Sequence, residues 1–262
     1  MADGDVIDVH SYGASEALGV NPRYEANYIA WIAAAQVAGK PLTVTEWNVP
    51  YPEIDRFTAP LYIAGMASLQ GWDAPMIYNY SQLASFKPDR ADQWSTFFDP
   101  ALTGMMPAAA VAFRGGHVRA ARQTYRFQPS RDQFLRHWTP ENSASLRTLA
   151  ETSRVVVAWP ALKELPWARP PAETPGAIVV DDLDRDFLPS GRDFVESDTG
   201  ELRRDWVQGV QTINSSMTQS ASGWIGGRSI ELEDVTFRID TKKAVVAVTS
   251  LDGLPIRESA RS

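Results

Sequence analysis

The amino-acid sequence predicts a mixed fold in which a parallel α/β segment is followed by an antiparallel β-rich segment. Two observations predict this order. Strand-like runs alternate with helix-like runs over residues 5–115, whereas short β-like runs separated by Gly, Asn and Asp occupy residues 176–262. Strands that alternate with helices of this length favour a parallel sheet with right-handed crossovers, and ligands then bind beyond the carboxyl ends of the strands.

The first segment, residues 1–118, contains three strand-then-helix units. Apolar residues recur at three- and four-residue spacing over residues 22–38, which predicts a helix that Asn21 caps and Gly39 ends. Two further helices are expected, over residues 58–70 and 107–114. The strands of these units are predicted at residues 5–10, 42–46 and 75–80.

The rest of the chain is predicted to form a connecting region and a small β domain. Residues 119–175 are expected to connect the two parts, with one helix near residues 141–152 and a Pro-rich linker over residues 165–175. Residues 176–262 are expected to form an antiparallel β-sandwich. Its strands are predicted at residues 177–180, 207–213, 219–225, 229–239 and 244–249.

Composition and charge limit the classes of partner. The 262 residues are 44% hydrophobic and 22% charged, which is typical of a globular chain. The net charge of −7, without a run of Lys or Arg, argues against nucleic acid and anionic membranes as partners. The absence of cysteine excludes disulfides and thiolate chemistry. No signal peptide or membrane-spanning run is recognised, and the localisation is left open between cytoplasmic and secreted bacterial.

All three predicted parallel strands end in polar or aromatic residues. In a (β/α)8 barrel, function concentrates at the carboxyl ends of the strands, so these residues are the candidates for a site. Trp72 and Tyr78, which flank the third strand, could stack on a sugar ring or could simply pack the sheet against its helices. The strand-end residues are His10, Tyr12, Glu46, Trp47, Asn48, Asn79 and Tyr80.

Glu46 is the strongest single candidate, because a carboxylate at the end of a strand could attack an anomeric carbon. The alternative is a Glu that pairs with an Arg or is only solvated. Alternation places Asp8 and His10 on one strand face, where His10 could bond a sugar hydroxyl, orient Glu46 or serve as a structural hydrogen-bonding group. No third ligand or HExxH spacing accompanies His10 and Glu46, so no metal or other cofactor is expected.

Three segments resemble strands six to eight of clan A glycoside hydrolases, whose catalytic domain is a (β/α)8 barrel. The segment GKPLTVTEWN is similar to the strand-seven motif that bears the catalytic nucleophile of that clan. Shorter runs at residues 107–114, 197–202 and 249–256 resemble the helix after strand eight and the β domain that follows the barrel. The three barrel-like segments are VIDVHSY at residues 6–12, GKPLTVTEWN at 39–48 and GWDAPMIYNY at 71–80.

This resemblance implies a partial (β/α)8 barrel and a retaining glycoside hydrolase that acts on β-linked glycans or oligosaccharides. Glu46 would be the nucleophile, His10 and Tyr12 its supporters, and the tryptophan near strand eight a platform for sugar. Asn48 is expected to support Glu46, and Trp47, Trp72, Asn79 and Tyr80 are expected to contact sugar.

The chain departs from the clan pattern in one respect: no segment matches the Asn-Glu pair of strand four, which carries the acid/base carboxyl. Three parallel strands also cannot close a barrel, and an open edge with an apolar inner face favours pairing. We therefore expect a homo-oligomer that covers the opening and completes the site. The alternatives are a non-catalytic carbohydrate-binding remnant and an α/β protein of unrelated function.

Overall fold

A computed structural model describes residues 4–13, 17–82, 91–159 and 171–262 of the chain. The fold is mixed α/β, as the sequence predicts, and includes a five-stranded antiparallel sheet. The strands are β1 (Ile7–Tyr12), β2 (Leu42–Asn48), β3 (Ala74–Ile77), β4 (Thr124–Phe127), β5 (Arg154–Val157), β6 (Ile178–Val180), β7 (Phe194–Glu196), β8 (Leu202–Asp205), β9 (Val210–Asn214), β10 (Thr218–Gly223), β11 (Ser229–Glu231), β12 (Thr236–Arg238) and β13 (Ala244–Thr249). The α-helices are α1 (Tyr28–Ala33), α2 (Ala59–Gln70), α3 (Pro100–Thr103), α4 (Met106–Arg114), α5 (Arg131–Arg136) and α6 (Ala144–Ala150).

The first three strands form a parallel sheet in the order β1-β2-β3, which confirms the predicted direction of these strands. One face of the sheet is closed by helices and buries Ile7, Leu42 and Val44. The other face is open to solvent, where Asp8 and His10 are exposed. Among the residues that the structure describes, the helices therefore cover one side of this sheet.

Helix α1 is shorter than the sequence predicts, because its cap lies later in the chain. Asn27, not Asn21, is the N-cap, and its side chain accepts a hydrogen bond from the Ala30 amide at 3.1 Å. The carbonyl of Asn21 instead closes a tight turn by accepting from the amides of Tyr24 and Glu25. The apolar periodicity of this segment thus runs through a turn before the helix begins.

Helix α2 is buried on nearly all sides, because it lies between the parallel sheet and the antiparallel sheet. Eleven of its residues are buried, and the Leu202 side chain of β8 packs against Gly65. A Cβ at Gly65 would lie 3.0 Å from that leucine, so glycine permits the close approach. Leu202 and Ile213 belong to the same core as α2, and contacts therefore cross the predicted boundaries at residues 118 and 176.

The antiparallel sheet has the order β13-β10-β9-β8-β7 and confirms the predicted character of the C-terminal segment. One face packs against α2 and α4, and the other face carries the β11–β12 hairpin, where Phe237 and Ile230 cover Ala221. Strand β6, expected in this unit, pairs instead with β4 in a second parallel sheet of order β5-β4-β6. Residues 160–170 of the predicted linker lie outside the described residues.

A buried ion pair ties the antiparallel sheet to the helices. The Arg204 guanidinium donates to both oxygens of Glu151, with nitrogen–oxygen distances of 2.7 and 2.5 Å. The same carboxylate accepts from the Tyr62 hydroxyl at 2.6 Å and from the Asn27 amide at 2.9 Å. Arg204 also donates to the carbonyl of Leu18. Both charged groups of this pair are therefore hydrogen-bonded, as buried charges require.

Within the part of the chain that the structure describes, no helix has the length and apolar character needed to cross a bilayer.

Candidate active site

A bulge in β2 places Glu46 beside His10. Val9 pairs with Val44, but the next residue of β1, His10, pairs with Glu46, so β2 carries one extra residue at Thr45. The pairing of β2 with β3 shows a register shift in the same stretch. A bulge of this kind breaks the alternation of a strand, so Thr45 and Glu46 both reach the open face of the parallel sheet.

The Glu46 carboxylate is held by one of its two oxygens. The Tyr12 hydroxyl donates to Oε2 at 2.5 Å, and Nδ1 of His10 lies 3.2 Å from the same oxygen. The other oxygen, Oε1, accepts no hydrogen bond from the described residues. The Glu46 side chain is 28% exposed, so a ligand can reach this free oxygen.

Of the two side chains beside Oε2 of Glu46, Tyr12 makes the hydrogen bond, and His10 lies at ion-pairing distance. Partial burial and the hydrogen bond to Glu46 raise the pKa of Tyr12, so its hydroxyl keeps its proton and remains a donor. On the other side of His10, Thr45 donates to Asp8 at 2.6 Å, and its hydroxyl oxygen lies 3.2 Å from Nε2 of His10. Because the Thr45 hydrogen is committed to Asp8, Nε2 must be the donor in this contact.

Asp8 anchors the far end of this chain of contacts. Its carboxylate also accepts from the Thr43 hydroxyl at 2.7 Å and from the Thr45 amide at 3.2 Å. Burial opposes ionisation of Asp8, but the hydrogen bonds from Thr45 and Thr43 outweigh it and hold the pKa of Asp8 below its ordinary value. The side chains of Asp8, Thr45, His10, Glu46 and Tyr12 therefore form one connected polar group, which we call the strand-end network.

An aromatic wall stands beside the strand-end network. Trp94 makes edge-to-face contacts with Tyr12 and Tyr78, with ring centroids 5.5 and 6.0 Å apart. Two backbone amides, those of Trp94 and Ser95, donate to the Asp92 side chain and fix this loop. Trp94 is partly exposed, so it offers aromatic surface beside Tyr12, the residue that donates to Glu46.

Sequence reasoning missed Trp94, although one signal could have found it. Trp94 lies in the loop that follows β3, at the carboxyl end of the parallel strands, where binding residues concentrate in such folds. The loop is placed by backbone pairing, since the Asn79 amide donates to the Trp94 carbonyl at 2.9 Å. The pattern of polar and aromatic strand ends extends only to Tyr80 and does not include the loop.

Two tryptophans that the sequence assigned to sugar contact lie in the core. Trp47 is 1% exposed and Trp72 is 3% exposed, so neither indole presents a face to a ligand. Trp47 faces the core because the bulge at Thr45 turns it to the closed side of the sheet. Trp72 is buried where the chain leaves α2, and its amide donates to the Ala67 carbonyl at 2.9 Å.

The two asparagines and Tyr80 have different surroundings. Asn48 is buried, and its amide donates to the Tyr78 carbonyl at 2.7 Å, which fixes β3 against β2 and supports Glu46 only through the backbone. Asn79 pairs through its backbone with the loop that carries Trp94. Tyr80 is exposed and contacts the ring of Phe97, which leaves it able to meet a ligand.

The open face of the parallel sheet is more polar than the expected apolar inner face. The strand-end network occupies most of it, and the exposed apolar side chains Val6 and Met76 lie beside this network. The apolar residues of β1 and β2 point to the closed side, so alternation leaves their polar residues on the open face. Among the described residues, no group of three or more His, Asp or Glu is placed to hold a metal ion.

No protein-family model, curated protein or solved structure matches this chain.

Proposed function

We propose that this chain is a retaining glycoside hydrolase whose nucleophile is Glu46, acting on β-linked glycans or oligosaccharides. One observation carries the proposal: Glu46 stands at the carboxyl end of a parallel strand with one oxygen held by Tyr12 and the other free toward solvent. A nucleophile needs this combination, because the held oxygen fixes the geometry while the free one approaches the substrate. In this proposal β1, β2 and β3 are the last three strands of a (β/α)8 barrel, and the β7–β13 region is a β-sandwich.

The first step of the reaction forms a covalent intermediate. Oε1 of Glu46 attacks the anomeric carbon as the glycosidic C–O bond breaks, and the leaving oxygen takes a proton from an acid. Trp94 and Tyr12 offer aromatic surface for the sugar ring. The Tyr12 hydroxyl, donating to Oε2, spreads the charge that the carboxylate regains when water later releases the sugar.

The acid that protonates the leaving group is proposed to come from a second copy of the chain. Retaining enzymes hold their two carboxyls about 5–5.5 Å apart. Asp8, the other carboxylate of the strand-end network, precedes His10 by two residues and so lies about 6.6 Å further down the strand, at about 3.3 Å per residue. Its oxygens are also engaged by Thr43 and Thr45.

The open side of the sheet offers a place for that second copy. Among the described residues β1 pairs only with β2, so its outer edge has free backbone groups, and Val6 is half-exposed at its start. An unpaired edge of this kind is a template for association. A homo-oligomer formed here would bring a partner's side chains over Glu46.

The first experiment replaces the nucleophile in the full chain. Glu46→Gln should lower hydrolysis of 4-nitrophenyl β-glucoside, β-xyloside or β-galactoside by at least about 10³-fold, because a neutral amide cannot form the glycosyl ester. Glu231→Gln, at an exposed Glu of β11, is the matched control and should keep wild-type turnover. Equal turnover of the Glu46 variant and wild type would reject Glu46 as nucleophile.

The second experiment tests the assembly. If a second copy supplies the acid, specific activity should fall on dilution at the concentration where light scattering shows dissociation, because the site is then incomplete. Val6→Lys, which puts a charge at the open edge, should weaken the association and lower the specific activity together. A monomer with undiminished specific activity would show that the acid belongs to the same chain.

A second candidate function is favoured by the missing acid. A carbohydrate-binding protein without turnover needs the aromatic wall and the polar strand ends but no second carboxyl. Calorimetry with glucan, xylan and galactan oligosaccharides, run beside the aryl glycoside assay, separates the two functions: binding without hydrolysis at all protein concentrations would favour the second.

A further inference from the structure

A cavity of about 340 Å³ lies between the α/β part and the turns of the antiparallel sheet. One side comes from the loops that follow β1 and β2, and the other from the turns after β8 and β10. Loops that follow parallel strands share one edge of the sheet, so the cavity lies toward the carboxyl ends of β1 and β2. Its principal lining residues are Leu18, Glu25, Asp55, Trp206, Gln208 and Trp224.

Trp224 is held in a fixed position at this cavity, yet it is 47% exposed. Its amide donates to the Gly209 carbonyl at 3.0 Å, and the indole edge lies against Gly209. A Cβ at residue 209 would lie 2.6 Å from the indole, so the ring position depends on glycine there. The Lys243 ammonium lies 4.5 Å from the ring centroid and supports the indole on one side.

Carboxylates stand near this indole with spare capacity to accept hydrogen bonds. Asp55 pairs through Oδ1 with Lys243 at 2.5 Å, and its Oδ2 accepts no hydrogen bond from the described residues. Glu25 is exposed, and within the described ranges its carboxylate has neither a hydrogen bond nor an ion pair. By contrast, both polar ends of Gln208 are engaged, by Asp205 and Arg228.

We propose that this cavity binds a pyranose unit of a glycan chain. The Trp224 indole would stack on the C–H face of the ring, while Glu25 and Asp55 would accept from its hydroxyl groups. A pyranose offers both contacts, and the volume lies in the range of small-molecule sites, about 300–1,000 Å³. The inference rests on the proposed function for the class of ligand and extends it, since a second sugar site favours oligosaccharides over disaccharides as substrates.

The test measures binding without turnover. Full-length protein carrying Glu46→Gln is titrated calorimetrically with cellohexaose, xylohexaose and laminarihexaose. At least one hexaose should bind, and adding Trp224→Ala should weaken that binding by about tenfold. Trp31→Ala is the matched control, because Trp31 is 45% exposed but lies on α1 outside the cavity. That variant should bind within twofold of its parent.

A second variant protects the test against misfolding. Glu25→Ala alters only an exposed side chain, and it should weaken the same hexaose by a few-fold while the melting temperature stays unchanged. Absence of binding for all three hexaoses, or equal affinity of the Trp224 and Trp31 variants, would overturn the inference. Failure of the proposed function looks different: wild-type protein would not hydrolyse glycosides, yet hexaose binding would still depend on Trp224.

Discussion

Two glutamates in this protein have similar partners and opposite surroundings. Glu46 accepts from Tyr12 at 2.5 Å and lies beside His10, while Glu151 accepts from Tyr62 at 2.6 Å and pairs with Arg204. Glu151 is buried, and both its oxygens are occupied. Glu46 keeps a free oxygen that solvent reaches. Spare hydrogen-bonding capacity, rather than residue type, separates the site from the scaffold.

Burial also shifts the pKa values of the groups that contact Glu151. Burial, and after it the nearby Glu151, raise the pKa of Tyr62 well above its ordinary value. Burial opposes the charge of Arg204, but the adjacent Glu151 outweighs it and raises the pKa of the guanidinium. The Arg204 guanidinium therefore keeps its charge, and the role of the buried pair is structural.

The largest expected effect comes from breaking the buried pair. Glu151→Ala leaves the Arg204 guanidinium buried without its counter-charge and should lower the free energy of unfolding by about 3–5 kcal/mol. Chemical denaturation followed by circular dichroism measures the loss. Asp132→Asn, in the exposed pair with Arg136, is the control and should cost at most about 0.5 kcal/mol. Similar losses in both variants would show that the buried pair is no more important to stability than an exposed one.

A pair of tyrosine variants gives the next largest effect. Tyr62→Phe removes a buried donor to Glu151 and should cost about 1.5–3 kcal/mol of stability. Tyr12→Phe should leave stability within about 0.5 kcal/mol but lower kcat by roughly 10- to 100-fold, because Glu46 loses the donor that orients it. Denaturation curves and aryl glycoside kinetics are compared for both. If Tyr12→Phe lowered the stability as much as Tyr62→Phe does, Glu46 would have a structural role like that of Glu151.

The smallest effect concerns Asp8, which acts on Glu46 only through Thr45 and His10. Asp8→Asn should lower kcat by about threefold with an unchanged KM, because a misplaced His10 disturbs orientation and not binding. Stability should change by less than about 0.5 kcal/mol, since Asp8 is exposed. A changed KM with a constant kcat would instead mean that Asp8 touches the substrate.

Much of the architecture follows from local patterns in the sequence. The first three strands and β9, β10 and β13 were predicted from short β-like runs in the sequence, and the helix over residues 58–70 from its place between two strands and from Gly71 at its end. Strands β7 and β8 were missed. The start of α1 was wrong, since both Asn21 and Asn27 can cap a helix. The position of β6 was also wrong, because three apolar residues do not specify which sheet they join.

By itself, the sequence determined that Glu46, His10 and Tyr12 stand at the ends of parallel strands, because alternation and strand order are local properties. Only the tertiary structure decided which groups meet. The bulge at Thr45 shifts Glu46 against His10 and sends Trp47 into the core, and a single-strand pattern cannot show it because a bulge exists only between paired strands. Trp94 likewise reaches Tyr12 from 82 positions away, through a contact that packing alone creates.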